Sequence, residues 1–127
     1  MATRILIVED DHDIALLLRY NLESAGFIVD HTSCGDDAEQ LIDEVMPDLV
    51  LLDWLLPGTS GIELCRRIRS NLRFDKLPII MMTARTDRAD REFAMRLGAD
   101  DFLTKPFYLS DVLARARLLT GRMASVL

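Results

Sequence analysis

Five short apolar runs set the terms of the fold. They lie at residues 4–8 (RILIV), 27–31 (FIVDH), 48–52 (DLVLL), 78–82 (PIIMM) and 101–104 (DFLT), spaced by about twenty residues or more. The first, third and fourth are almost continuously apolar, as strands covered on both faces must be; the second and fifth are mixed, which suits positions nearer an edge. Helical periodicity fills the gaps. Ile14, Leu17, Leu18, Leu22 and Ala25 keep one face before Gly26, and Ala38, Leu41, Ile42 and Val45 keep one before Pro47. Ile62, Cys65, Ile68 and Leu72 form a third face, Ala89, Phe93 and Leu97 a fourth closed by Gly98, and Val112, Leu113, Ala116 and Leu119 a fifth. Each crossover is long enough for a right-handed βαβ unit. The pattern therefore predicts an α/β protein, (βα)5, with a doubly wound five-stranded parallel sheet.

The 127 residues make one domain, with 50% hydrophobic and 28% charged residues. At this size a chain buries roughly two-thirds of its surface, enough for one core. Residues 1–122 are expected to form the domain and 123–127 a tail or the start of a linker. A net charge of −6 argues against these residues gripping DNA or an anionic membrane by charge alone. Cys34 and Cys65 fit no ligand or redox spacing and read as buried free thiols. The first apolar run is too short for a signal peptide or a membrane span, so the cytoplasm is the expected location.

In a doubly wound sheet, ligands bind beyond the carboxyl ends of the strands, where the winding reverses. Glu9, Asp10 and Asp11 follow the first run, Asp53 the third, Thr83 the fourth and Lys105 the fifth. Each alone has an ordinary reading: a helix cap, a strand end, a turn before proline. Four such partners at one end of a sheet describe a site. Clustered carboxylates repel unless a cation joins them, and hard oxygen donors suit Mg²⁺. A carboxylate at Asp53 can act as a nucleophile on phosphorus, with Thr83 and Lys105 meeting the phosphoryl oxygens.

The segments ILIVEDD (5–11), PDLVLLDWLLPGTSG (47–61), PIIMMTAR (78–85) and GADDFLTKPF (98–107) resemble the receiver domains of bacterial two-component response regulators, and cover almost the whole chain. Within that family LLDWLLPG, SGIELCRRIR and LLRYNLESAGF are most similar to the OmpR/PhoB group, PhoB-type receivers above all. The resemblance implies the CheY-like, flavodoxin-like fold with strand order 2-1-3-4-5. It implies that Asp53 accepts a phosphoryl group from a sensor histidine kinase. Asp10, Asp53 and the backbone carbonyl of Leu55 would ligate Mg²⁺, Glu9 would act through a metal-bound water, and Thr83 and Lys105 would contact the phosphoryl oxygens. The bond between Lys105 and Pro106 would be cis.

The same resemblance makes Thr83 and Phe102 a switch pair in which the hydroxyl moves and the aromatic turns inward. Phe102 replaces the Tyr common in the group and has no hydroxyl to report the state. A homodimer through the fourth helix, fifth strand and fifth helix is implied, with Arg91, Asp100, Asp101, Asp111, Arg115, Arg117 and Arg122 at the charged positions. Arg91 with Asp111, and Asp101 with Arg115, would pair across subunits. Glu92 stands where the group has an aliphatic residue beside Met95 and Leu113, and would weaken that patch. Tyr108 lies where a capping residue is usual, so Ser110 or Asp111 would cap a late-starting fifth helix. Trp54 would sit at the pocket rim and report Mg²⁺ by fluorescence.

The function implied is a phosphorylated switch, not an enzyme, controlling a DNA-binding output outside these residues, with no nucleic-acid contact of its own. A stand-alone receiver that docks on a protein partner is the alternative. Asp-nucleophile phosphohydrolases usually carry a second carboxylate two residues after the nucleophile; Leu55 stands there and cannot transfer a proton. Leu55 and Arg85 also offer no group to position an attacking water, so self-dephosphorylation is expected to be slow. An FMN site would need a Ser-, Thr- and Gly-rich loop after the first strand, where Glu9–Asp11 would repel the flavin phosphate.

Overall fold

A computed structural model describes residues 2–85 and 87–121. Five strands, β1 (Arg4–Val8), β2 (Ile28–Thr32), β3 (Leu49–Asp53), β4 (Ile79–Thr83) and β5 (Asp101–Thr104), alternate with five helices. The helices are α1 (His12–Ser24), α2 (Gly35–Val45), α3 (Gly61–Ser70), α4 (Arg88–Arg96) and α5 (Leu109–Thr120). All pairings are parallel, in the order β2-β1-β3-β4-β5. The mixed runs, β2 and β5, are the edges. Arg122 and the 123–127 tail lie outside the described residues.

The pleat divides the core in two. Leu6, Val8, Val50, Leu52, Ile79 and Met81 face one way, against Ala38 and Ile42 of α2, Leu64 and Ile68 of α3 and Ala94 of α4. Ile5, Ile7, Leu49, Leu51, Ile80 and Met82 face the other, against Leu18 and Leu22 of α1 and Val112 and Ala116 of α5. This two-sided cover is why the central runs are apolar throughout. Each fully buried Ile or Leu contributes roughly 1.5–3 kcal/mol.

Several expectations shift. β2, β3 and β4 each begin and end one residue later than the apolar runs suggest, so Asp53 and Thr83 are the last residues of their strands. Asp48 instead accepts the Arg4 backbone N–H at 2.8 Å and donates its own to Arg4 O at 2.7 Å, before the ladder starts. Leu72 is 87% exposed, because α3 ends at Ser70; Phe74 and Leu77 of the following turn enter the core. Leu17 and Phe93 are exposed as well, and Ala15 and Ala94 face inward. α5 does not start late: Tyr108 is its N-cap through backbone alone, and Asp111 lies in the first turn. Asp111 N–H donates to Tyr108 O at 3.0 Å, so Ser110 and Asp111 are helical, not capping.

Candidate functional site

The order β2-β1-β3 means that the chain leaves β1 in one direction and β3 in the other, and a crevice opens beyond their carboxyl ends. Glu9, directly after β1, is fully buried, and Asp10 beside it is exposed. Glu9 is held from both sides by its backbone: its N–H donates to Thr32 O at 3.1 Å, and its carbonyl lies 2.8 Å from His31 Nε2. Its carboxylate accepts the Asp11 N–H at 3.2 Å, and Asp11 in turn caps α1 through the N–H groups of Asp13 and Ile14.

Asp53 ends β3 and is 6% exposed. One carboxylate oxygen from each of Glu9, Asp10 and Asp53 lies within 4.8 Å of the others. Lys105, directly after β5, reaches across: its Nζ lies 2.6 Å from Glu9 Oε1 and 3.3 Å from Asp53 Oδ1. The bond from Lys105 to Pro106 is cis. Burial drives the Asp53 carboxyl up to about 7, and the Glu9 carboxylate adds to the rise more than Lys105 removes. Burial works to lower the Lys105 ammonium, but Glu9 and Asp53 outweigh it and the net shift is upward. A crevice with three carboxylates and one ammonium thus holds a surplus of negative charge. That donor set, all hard oxygen, fits Mg²⁺.

Thr83 ends β4, is buried, and its Oγ1 accepts the Arg85 N–H at 3.1 Å. The sequence-predicted partners Glu9, Asp10, Asp53, Thr83 and Lys105 therefore all stand at the carboxyl end of the sheet, and four of them are joined by short distances. Leu55, two residues beyond Asp53, is 65% exposed through its side chain. Gly61 sets how closely α3 approaches: a Cβ there would lie 2.0 Å from the Asp53 carbonyl oxygen, and Gly61 N–H donates to Trp54 O at 2.9 Å. Sequence reasoning missed Gly61 and His31. The only trace of the first is its place at the start of an apolar helix face.

Trp54 is not at the rim. It is 7% exposed, beneath the Arg85 guanidinium (5.0 Å to the ring centroid) and against Phe93 and Phe102. Phe102 is buried and meets Trp54 edge-on at 6.3 Å, with Arg91 5.9 Å from its ring centroid. Of the charges read as a docking face, Asp101 and Arg115 pair within the chain at 2.9 Å. Asp100, which is exposed, is also bonded within the chain. Its Oδ2 accepts Arg69 Nη2 at 2.6 Å and the Ile79 N–H at 2.8 Å, which ties the α4–β5 connection to α3 and β4. Arg69 also donates to Gly98 O at 2.7 Å and Phe74 O at 3.3 Å.

Among the described residues, no helix is long and apolar enough to cross a membrane. The family model for the response regulator receiver domain matches residues 5–117. The phosphate regulon transcriptional regulatory protein PhoB of Rhizobium meliloti (strain 1021) is 48% identical over 122 residues, 96% of this chain and 54% of that protein. The chain thus spans about half the length of that curated relative. The BeF3-activated N-terminal receiver domain of Klebsiella pneumoniae RstA superposes with a TM-score of 0.86 at 34% identity, over 93% of this chain and 98% of that one. A two-component response regulator from Clostridium difficile gives 0.87 at 30% identity, over 95% and 98%.

Proposed function

The chain belongs to the response regulator receiver domain family, and from that premise we propose that Asp53 is its phosphoacceptor, charged by a sensor histidine kinase. The observation that carries the reading is the buried Asp53 carboxylate grouped with Glu9 and Asp10 and faced by Lys105 at 3.3 Å. An Asp53 oxygen attacks phosphorus and forms a new P–O bond. The P–N bond to the kinase histidine, or the P–O bond of a small acyl phosphate, breaks, and the leaving group keeps its electron pair.

Asp10, Asp53 and the Leu55 carbonyl would hold Mg²⁺, with Glu9 acting through a water. The ion supplies charge neutralisation at the equatorial phosphoryl oxygens. Lys105 supplies a second positive charge, and the Thr83 hydroxyl, now an acceptor from Arg85, turns to donate to a phosphoryl oxygen. Thr83 and Phe102 then carry the change to α4, β5 and α5. Arg91, Asp100, Asp101, Asp111 and Arg115 line a homodimer face on activation. The domain turns over no substrate beyond its own phosphoryl group, works in the cytoplasm beside its kinase, and leaves DNA contact to an output region of the kind its PhoB relative suggests.

Incubation with Mg²⁺ and acetyl phosphate tests this. Mass analysis should find one phosphoryl group, on Asp53, and none without Mg²⁺ or in Asp53→Ala. Substantial labelling of Asp53→Ala would overturn the assignment.

A further inference from the structure

The loop from β3 to α3, residues 54–60, carries the Leu55 carbonyl, yet its fixed points are elsewhere. Its start and end are joined by the Gly61–Trp54 bond. Its tip is gripped by the first turn of α2. Asp36 Oδ1 accepts the Thr59 backbone N–H at 3.0 Å and the Thr59 hydroxyl at 2.6 Å. Beside it, Cys34 Sγ lies 3.9 Å from Pro57 O, and Arg67 Nη1 lies 3.5 Å from Thr59 Oγ1 and 3.1 Å from Glu39. Gly35 permits the approach: a Cβ there would stand 2.0 Å from the Thr59 carbonyl oxygen. Those two bonds from Thr59 hold the Asp36 carboxyl below its ordinary value, so it stays an acceptor across the physiological range.

We propose that Asp36 is a positioning residue for the metal site, acting through Thr59 to aim the Leu55 backbone carbonyl at the crevice. The inference rests on the metal reading above and extends it to a residue on a different element. The Leu55 side chain is largely in solvent, so packing does little to orient that peptide. With one end of the loop bonded to Trp54 and the tip bonded to α2, the carbonyl between them has little freedom left. Outer partners of this kind tune metal affinity without touching the ion.

Calorimetric Mg²⁺ titration and amide hydrogen exchange of the metal-free protein, on wild type, Asp36→Ala and Asp36→Asn, test it. Asp36→Ala should speed exchange at Thr59 and weaken Mg²⁺ binding by about tenfold. Asp36→Asn keeps an acceptor oxygen and should recover most of the affinity, which a purely destabilising effect would not predict. Wild-type affinity in Asp36→Ala, with Thr59 exchange accelerated, would overturn the inference. Should Asp36→Ala fail to fold, Thr59→Val removes only the hydroxyl bond; unchanged affinity there would overturn it equally. Mg²⁺ binding that survives Asp53→Ala would sink the metal reading itself, and this inference with it.

Discussion

Lys105 sits closer to Glu9 than to Asp53, 2.6 Å against 3.3 Å. The ammonium therefore neutralises a fully buried carboxylate first and leaves the phosphoacceptor only partly compensated. Lys105→Ala should keep Mg²⁺ binding, because the three carboxylates remain, but should fail to reach the activated conformer with acetyl phosphate or beryllofluoride. Backbone NMR shifts across α4, β5 and α5 check this. A Lys105→Ala protein that moves like wild type would refute it.

Asp53 titrates near 7 when folded and near 3.8 as an ordinary carboxyl. The raised value means the folded state favours the protonated form. Stability from this group is complete below 3.8 and is lost as pH climbs to about 7. Asp53→Asn should thus be more stable than wild type in metal-free buffer at pH 8, by roughly 1–3 kcal/mol. The advantage should fade toward pH 4. Urea unfolding at several pH values measures it; a constant offset would contradict the assignment.

Mg²⁺ binds the ionised carboxylate, so its affinity should rise with pH between about 6 and 8 and binding should release protons at pH 6.5. Calorimetry in buffers of different ionisation enthalpy counts those protons. Equal heats in all buffers would count against a protonated Asp53.

Trp54, the sole tryptophan, lies next to Asp53 and under the Arg85 guanidinium. Its emission should change on Mg²⁺ addition. Arg85→Ala, by removing the cation over the ring, should shift the metal-free emission before any ion is added. An Arg85→Ala spectrum that overlays wild type would show that the stack is absent in solution.

Gly61 faces the Asp53 carbonyl with no room for a methyl group. Gly61→Ala should cost about 1–3 kcal/mol and slow phosphoryl incorporation, because the backbone that must yield is that of Asp53. Normal incorporation in a destabilised Gly61→Ala protein would separate the two effects and refute the second.

The site was largely legible because parallel strands end together. Once the apolar runs were in register, Glu9, Asp53, Thr83 and Lys105 had to share one edge. The one-residue offset in β2, β3 and β4 did not matter, because Asp53 and Thr83 still close their strands while Glu9 and Lys105 follow β1 and β5, whose bounds match the runs. What the chain did not disclose was non-local. Leu72 matches a helical period but falls beyond a helix that stops at Ser70. Phe93 shares its period with Leu97, yet α4 turns only Ala94 fully inward. Asp36 and Thr59 are separated by 23 residues, and no local pattern announces that one caps the other's loop. Asp100 is exposed, and nothing near it in sequence announces its bond from Arg69 of α3.

That last bond has a mechanical consequence. Arg69 fastens the peptide at Gly98 and the carboxylate at Asp100, so the trailing end of α4 is bolted to the body of the protein. Among the described residues, its leading end carries the Asp87 cap and the Arg85–Asp90 pair, and farther along Arg91 and Phe93 meet the Phe102 and Trp54 rings. A displacement arriving at the carboxyl end of β4 therefore meets its firmest resistance at the Arg69 end of that helix.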